Sequence, residues 1–130
     1  MKIIDGENAV LGRLASHVAK ESLKGEEVIV LNSEKIIITG NKSWINNEFT
    51  QKRKMAGSSQ KGPMHARPNY MIVKKVIRGM LPNHRTGKGK DAFKRIKCYE
   101  GIPEEFKNKK IIKLNEKEKN KFIQIKDISK

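Results

Sequence analysis

The chain has 130 residues, enough for one hydrophobic core but too few for two independent ones, so a single domain is expected. Lysine and arginine number 29 against 14 aspartate and glutamate residues, and the formal net charge of +15 implies a polyanionic partner. The longest apolar runs, residues 28–31 and 36–38, are far shorter than the ~20 residues that cross a bilayer, which argues against a membrane protein.

The first third of the chain predicts one βαβ unit. Residues 3–4 form a short apolar strand, and the apolar residues within 11–19 recur at the 3.6-residue period of an amphipathic helix. Gly25 suits the C-terminal cap of that helix, because glycine adopts the left-handed conformation readily. Residues 27–32 contain the unalternating run Val-Ile-Val-Leu, which is typical of a parallel strand covered on both faces.

The next segment changes from apolar to cationic. Residues 36–38 continue the apolar density as either a strand or a loop anchor, and a short helix over 43–48 is predicted to turn Trp44 and Ile45 inward. Residues 52–69 then combine cations with turn formers and contain few core candidates. The composition predicts a basic loop or arm, which alone could not bury enough apolar surface to fold.

Residues 70–81 return to a helical period with two different faces. Four apolar residues share one face: Val73, Val76, Ile77 and Met80. At about 100° per residue, three cations fall on the nearly opposite face: Lys74, Lys75 and Arg78. One helix is therefore predicted to present the core and a polyanion with separate sides, before Pro82 ends it.

Two further elements and a tail follow. Residues 86–90 predict a flexible cationic turn, and residues 91–97 a short helix in which Asp91 occupies the first turn. Along that helix Lys90, Lys94 and Lys97 are expected to align. A short strand at 98–99 comes next, and the anchored positions of the tail are expected to be Ile111, Ile112, Phe122, Ile123 and Ile125.

The positive charge is concentrated in the middle of the chain. Residues 1–41 hold 5 basic and 6 acidic residues, residues 42–97 hold 15 and 2, and residues 98–130 hold 9 and 6. A solvated surface normally mixes both signs, so the middle segment predicts a surface that neutralises the phosphates of a nucleic acid. The candidate RNA-binding residues are Lys52, Arg53, Lys54, Lys61, Arg67, Lys74, Lys75, Arg78, His84, Arg85, Lys88, Lys90, Lys94, Arg95 and Lys97.

The sequence offers few candidates for catalysis, so no enzyme is expected. The basic segment holds only two carboxylates, and the three histidines and the single cysteine, Cys98, are too scattered for a metal site, so neither a metal nor a cofactor is predicted. A lone cysteine also excludes an intramolecular disulfide, which fits a reducing cytoplasm, and the N-terminus lacks a signal peptide's apolar stretch.

Three alternatives stay open at this point. A metal-free nuclease would use His65 and His84, and a nucleotide-dependent enzyme would use residues 8–13, although these match neither a P-loop nor a dinucleotide fingerprint. A DNA-compacting or RNA-regulatory protein would use the same cations. Aromatic residues make up 5% of the chain and are expected mainly in the core rather than on a stacking surface: Trp44, Tyr70, Phe93 and Tyr99.

Several motifs together resemble the large-subunit ribosomal protein L13 family. The resemblance rests on Val-Ile-Arg-Gly-Met-Leu-Pro at residues 76–82, on residues 4–8, 11–16, 32–35 and 39–40 before it, and on these positions after it: Gly87, Ala92, 95–97, Tyr99, Gly101 and Pro103. Gly-Pro at residues 62–63 before Arg-Pro at 67–68, and the run at 100–106, are similar to archaeal members. The match covers residues 2–106.

The resemblance implies a fold, a partner and a location. The fold would be a three-layer α/β/α domain over residues 1–130, with a small, mainly parallel four-stranded sheet and a basic extension at about 50–97. The function would be that of a structural constituent that binds and stabilises large-subunit ribosomal RNA during assembly and in the mature particle. Its partners would be that RNA and neighbouring ribosomal proteins in the cytoplasm, with no membrane and no small-molecule substrate. The tail at about 107–130 receives no role.

Overall fold

Strands and helices alternate along the chain. The computed structural model describes residues 1–55, 65, 67–114 and 121–128. The strands are β1 (Lys2–Asp5), β2 (Val28–Leu31), β3 (Ile37–Thr39), β4 (Ile96–Cys98), β5 (Ile112–Lys113) and β6 (Phe122–Gln124). The helices are α1 (Leu11–Leu23), α2 (Lys42–Lys54), α3 (Asn69–Met80), α4 (Gly87–Lys94) and α5 (Ile125–Ile128). None of the helices described is long and apolar enough to cross a membrane.

Four strands form one parallel sheet in the order β4-β2-β1-β5. Helix α1 makes the crossover between β1 and β2, and Gly25 follows it with φ +101°, as the predicted cap requires. All four residues of β2 are buried, because the strand is central and covered on both faces. The predicted α/β class with a small parallel four-stranded sheet is confirmed.

The two faces of the sheet are covered unequally. On one face, Ile4, Val30 and Ile96 pack with apolar residues of α1, α3 and α4 in the larger core cluster. On the other face, Ile3, Ile29 and Leu31 pack against Phe106, which lies in the 3-10 turn Glu104–Phe106. The arrangement is consistent with three layers, of which the one containing the 3-10 turn is thin. Each fully buried aliphatic side chain contributes roughly 1.5–3 kcal/mol, so the helical face dominates the stability of the core.

Strand β3 pairs outside the main sheet. It runs antiparallel to β6 of the tail, with Ile38 opposite Ile123. Of the two alternatives for residues 36–38, a strand or a loop anchor, the strand is confirmed for Ile37 and Ile38. The predicted anchoring of the tail is confirmed at Ile123 and Ile125, which are buried, and Ile125 reaches the larger core cluster.

Helix α2 is longer than predicted and turns a different aromatic residue inward. It runs from Lys42 to Lys54, so the first residues of the expected basic arm are helical, while residues 56–64 and 66 lie outside the described part. Ile45 is buried as predicted, but Trp44 is 64% exposed, so its predicted burial is wrong. Adjacent helical residues point about 100° apart, and Phe49, four residues after Ile45, is the one that packs beside it.

The predictions for residues 86–97 are wrong in their boundaries. Helix α4 already begins at Gly87 and ends at Lys94, and residues 96–98 form strand β4. Asp91 is therefore not in the first turn of a helix. Gly89 is buried, and a Cβ atom there would lie 1.7 Å from the carbonyl oxygen of Pro82. The glycine-rich stretch allows the helix to pack closely on the preceding loop rather than forming a flexible turn.

The expected core positions in α3 and among the aromatic residues are partly confirmed. Val73 and Ile77 are fully buried, whereas Met80 is 43% exposed. The buried stripe of the helix consists of Ile72, Val73 and Ile77, so Met80 lies at its edge and not on it. Tyr70 is 41% exposed, which contradicts the expectation of a core position. The two remaining aromatics are half-buried and make ring contacts: Phe93 and Tyr99.

Candidate nucleic-acid interface

Helix α3 separates an apolar side from a cationic side. Ile72, Val73 and Ile77 pack into the larger core cluster together with residues of α1. On the other side Lys75 is exposed, while Lys74 and Arg78 are partly exposed. The core fixes the orientation of the helix, so these cations are presented on a rigid element.

Cations from α2 and α3 meet around His65. The Nζ atom of Lys75 lies 3.1 Å from Nδ1 of His65, and Lys52 of α2 lines the same cavity as both residues. Desolvation, followed by the charges of Lys75, Lys52 and Arg53, lowers the pKa of His65 below its usual value. The imidazole is therefore mostly neutral at pH 7, and its Nδ1 atom accepts the hydrogen bond that the ammonium group donates.

Helices α3 and α4 meet through an aromatic ring. The Nζ atom of Lys74 lies 4.9 Å from the centroid of the Phe93 ring, a cation–π contact. The ring of His84, in the loop between the two helices, meets Phe93 edge-on with 6.5 Å between centroids. Asn83 orders the same loop, since its Oδ1 atom accepts from the backbone N–H of Arg85 at 3.2 Å. These two contacts hold Arg85 and His84 of the loop beside helices α3 and α4.

Most of the exposed cations of the basic middle segment, residues 42–97, have no acidic partner in the described part of the chain, and Lys52 is an exception. Lys52 pairs with Glu48 at 3.2 Å, four residues earlier on α2. No ion pair with a described residue is formed by Lys54, Arg67, Arg85, Lys88, Lys90 or Lys94, all of which are exposed. By contrast, three carboxylates of the first third of the chain pair with cations of the same third: Glu7, Glu21 and Glu26.

Some predicted binding residues lie elsewhere or have other contacts. The Nη1 atom of Arg53 donates to the carbonyl oxygen of Ile128 at 2.6 Å, and that of Arg95 to the carbonyl oxygen of Ser22 at 3.2 Å. Lys97 lies in β4, alternating with residues that face the helices, so it points to the opposite face of the sheet and not along a stripe with Lys90 and Lys94.

The structure brings most of the remaining predicted residues onto or beside α2, α3 and α4. Lys61 lies outside the described residues. We call the following set the basic surface: Lys52, Lys54, Arg67, Lys74, Lys75, Arg78, His84, Arg85, Lys88, Lys90 and Lys94.

Comparison with known proteins identifies the family. The family described as Ribosomal protein L13 matches residues 1–105, about four fifths of the sequence. The chain belongs to the ribosomal protein L13 family. The resemblance found from the sequence motifs is thereby confirmed.

The L13-family chain is similar to several archaeal proteins named large ribosomal subunit protein uL13. The protein of Methanopyrus kandleri is 52% identical over 101 residues, which cover 78% of this chain but 62% of the relative, less than two thirds of its length. That of Methanocaldococcus jannaschii is 46% identical over 106 residues, covering 79% of this chain and 77% of the relative. That of Methanococcoides burtonii is 38% identical over 135 residues, covering 100% and 96%.

Two residues of this L13-family chain that matter to the interface were missed in the sequence. Phe49 and Gly79 line a cavity of about 330 Å³ between α2 and α3, together with Lys52, His65 and Lys75. A glycine within an otherwise helical pattern was the available signal at residue 79, because glycine is unfavourable there unless packing or a ligand requires it. Phe49 gave a weaker signal, its spacing of four residues from Ile45.

The residues named for the catalytic alternatives are not assembled into a site. His65 belongs to the α2–α3 junction, whereas His84 packs on Phe93 at the α3–α4 junction. Burial raises the pKa of the Cys98 thiol to about 12, which suppresses the nucleophilic thiolate. No group of three or more potential ligands for a metal ion occurs among the described histidine, cysteine and acidic residues.

Residues 8–13, the segment considered for a nucleotide site, serve to connect β1 with β3 and α1. The backbone N–H of Asn8 donates to the carbonyl oxygen of Lys35 at 3.3 Å, and that of Ile37 donates to the carbonyl oxygen of Ala9 at 2.9 Å. Asn8 itself adopts a left-handed conformation with φ 59°. These contacts explain the segment as the entry to helix α1.

Proposed function

We propose that the chain is a structural constituent of the cytoplasmic large ribosomal subunit, where it binds and stabilises large-subunit ribosomal RNA during assembly and in the mature particle. Its family and the names of its relatives support the ribosomal role. The observation that carries the RNA-binding part is the two-sided helix α3, with Ile77 in the core and Lys75 exposed. We assign the contact with RNA to the basic surface.

Most cations of the basic surface lack an acidic partner among the described residues. Unpaired cations held near one another on packed helices repel, and an RNA backbone would remove that repulsion while releasing its condensed counterions. Arginines such as Arg67 and Arg78 can also bind phosphate oxygens with two parallel hydrogen bonds. The basic surface is therefore expected to bind RNA phosphates whatever the base sequence. The three-dimensional arrangement of those phosphates would then determine where on the RNA the protein binds.

Folded RNA fits this surface better than a single strand laid on a sheet. Proteins that bind single strands with a sheet expose aromatic residues on one of its faces, whereas here helices cover one face and Phe106 with its neighbours covers the other. The cations instead lie on or beside helices, from which they can contact phosphates of separate RNA segments. Ribosomal proteins next to the chain are further proposed partners, and the exposed Trp44 and Ile102 offer apolar contacts for them.

The proposal is tested by measuring binding to a transcript of archaeal large-subunit ribosomal RNA at several salt concentrations. If ~6–10 phosphates are contacted, the affinity should fall ~10³–10⁵-fold between 50 and 200 mM salt. A flat salt dependence would contradict the proposal. Duplex DNA of equal length serves as competitor, and equal affinity for it would favour a non-ribosomal nucleic-acid-binding protein. Co-sedimentation with the large subunit in a cell lysate tests the ribosomal part.

A further inference from the structure

The cavity between α2 and α3 combines an apolar interior with a cationic mouth. Phe49 of α2 and Ile72 and Val76 of α3 supply the apolar lining. Lys52 and Lys75 approach the same space from the two helices. The volume of about 330 Å³ lies at the lower end of the ~300–1,000 Å³ that is common for small-molecule sites. It therefore suits one flat group of modest size rather than an extended ligand.

Gly79 lines the cavity, and no contact with a described residue requires a glycine at this position. Its φ is not in the left-handed region, and no atom of the described residues lies within 4 Å of the position that a Cβ atom would occupy. This differs from Gly89, where the carbonyl oxygen of Pro82 leaves no room for a side chain. Glycine destabilises a helix relative to alanine, and at residue 79, unlike at Gly12, the missing side chain leaves the helix backbone open to a group that enters the cavity.

The charges at the mouth favour an anion attached to that group. Lys75 donates to the uncharged ring of His65 and forms no ion pair with a described residue. Lys52, by contrast, already has a carboxylate partner, Glu48. A phosphate at the mouth would give Lys75 a charge-assisted hydrogen bond, which is stronger than one to a neutral imidazole. A nucleotide supplies both parts, because each base has a flat apolar face and each phosphate a negative charge.

We propose that this cavity receives one unstacked nucleobase of the bound RNA, with Phe49 and the backbone at Gly79 against the base and with Lys75 at its phosphate. The inference rests on the proposed RNA-binding function and adds a subsite to it. Bases splayed out of loops and bulges are the usual targets of base-directed recognition in RNA, and a π-face tolerates any base identity. The subsite therefore recognises an unpaired nucleotide whatever the identity of its base.

The test fills the cavity without removing any existing contact. Gly79→Leu places a strong helix former in the empty space, and Gly79→Ala is the milder variant in case leucine disturbs the fold. Gly12→Leu is the matched control, because Gly12 is also an exposed helical glycine with no described atom within 4 Å of its Cβ position, but does not line the cavity. Thermal unfolding checks that each full-length variant is folded.

Two probes separate base insertion from general phosphate binding. The first is the archaeal large-subunit ribosomal RNA transcript, to which Gly79→Leu should bind roughly 5- to 150-fold more weakly, the range of one base stack, with a smaller loss in Gly79→Ala. The second is a pair of RNA duplexes that differ by one bulged adenosine. The unchanged protein should prefer the bulged duplex, Gly79→Leu should lose that preference, and Gly12→Leu should retain it.

Each outcome decides between the two proposals. If the unchanged protein does not bind the transcript, the proposed function itself fails. If it binds and neither Gly79 variant differs from it, or if Gly12→Leu loses as much affinity, the subsite is refuted while the function stands. If the Gly79 variants bind RNA normally but no longer co-sediment with the large subunit, the occupant is an apolar side chain of a neighbouring protein and the nucleobase is wrong.

Discussion

The ammonium group of Lys75 donates a hydrogen bond to Nδ1 of His65 at 3.1 Å, so this cation of the basic surface is paired with an uncharged ring. A carboxylate in that place would neutralise Lys75 and weaken its attraction for phosphate. A neutral imidazole holds the side chain in position and leaves its charge uncompensated. The pair therefore orients Lys75 for an anion that comes from outside the chain.

The first prediction concerns the titration of His65. Its pKa is lowered by desolvation and then by Lys75, Lys52 and Arg53, so Lys75→Gln should raise it, and a bound RNA phosphate should raise it further. The imidazole signals in an NMR pH titration measure both shifts. Lys88→Gln, which removes an exposed lysine of α4, should leave the His65 titration unchanged. An equal response to both variants would show that general charge, and not the contact with Lys75, controls the pKa.

The second prediction separates stability from binding in α4. Lys88 and Lys90 lie near the N-terminus of this helix, where the helix dipole disfavours positive charge and no acidic residue occupies the first turn. Lys88→Glu should therefore stabilise the fold by ~0.3–1 kcal/mol while weakening RNA binding. Urea unfolding and the RNA titration measure the two effects.

A matched pair of triple variants tests the same idea on a larger scale. Replacing Lys88, Lys90 and Lys94 by glutamate should lower the slope of log affinity against log salt by about 0.9 for each phosphate that the protein no longer neutralises. The control replaces Lys20, Lys107 and Lys110, which are exposed but outside the basic surface, and should keep most of the slope. An equal decrease of the slope in the two triple variants would contradict the assignment of the surface.

Local periodicity predicted the elements whose residues repeat regularly. Helix α1, the central strand β2 and the inward residues Val73 and Ile77 of α3 were found in this way, because burial of a face imposes a spacing on the sequence. The division of charge likewise predicted which part of the chain holds the basic surface. Both signals need only a window of neighbouring residues.

The errors arose where contacts join distant residues. Gly87 and Gly89 look like a flexible turn in the sequence, but Gly89 is required by the close approach of Pro82. The hydrogen bond from Arg53 to Ile128 joins residues that lie 75 positions apart in the sequence. The residues paired between β3 and β6 are similarly far apart in the sequence. The cavity beside Gly79 likewise forms between α2 and α3, so the helical glycine marks the position in the sequence but not the cavity itself.

The third prediction compares two glycine-to-alanine substitutions with opposite expected signs. At Gly89 a Cβ atom would lie 1.7 Å from the Pro82 carbonyl oxygen, so Gly89→Ala should lower the free energy of unfolding by ~1–3 kcal/mol as backbone atoms shift. At Gly79 the space is open, so Gly79→Ala should raise it by ~0.5–1 kcal/mol. Urea denaturation of both variants measures the two changes, and a shared sign would mean that one of the helix environments is misplaced.

The last prediction concerns acid unfolding through Glu21. Hydrogen bonds from Lys2 and Lys24 lower the pKa of this carboxylate from 4.5 to about 2. A group with a lowered folded-state pKa stabilises the protein fully above its unfolded-state value and loses that contribution as pH falls. The contribution of Glu21 should therefore be complete above pH 4.5 and decline between pH 4.5 and about 2. Urea unfolding over this pH range measures the decline.

Glu21→Gln should remove that part of the pH dependence and lower the stability at pH 7, because Lys2 and Lys24 both lose their carboxylate. Glu27→Gln is the control, since Glu27 is exposed and none of the ion pairs between described residues involves it. Its stability curve should follow that of the unchanged protein across the whole range. If Glu21→Gln instead kept the same decline below pH 4.5, the acid sensitivity would have to come from other carboxylates, and the pairing of Glu21 with the two lysines would not contribute to holding the end of α1 against β1.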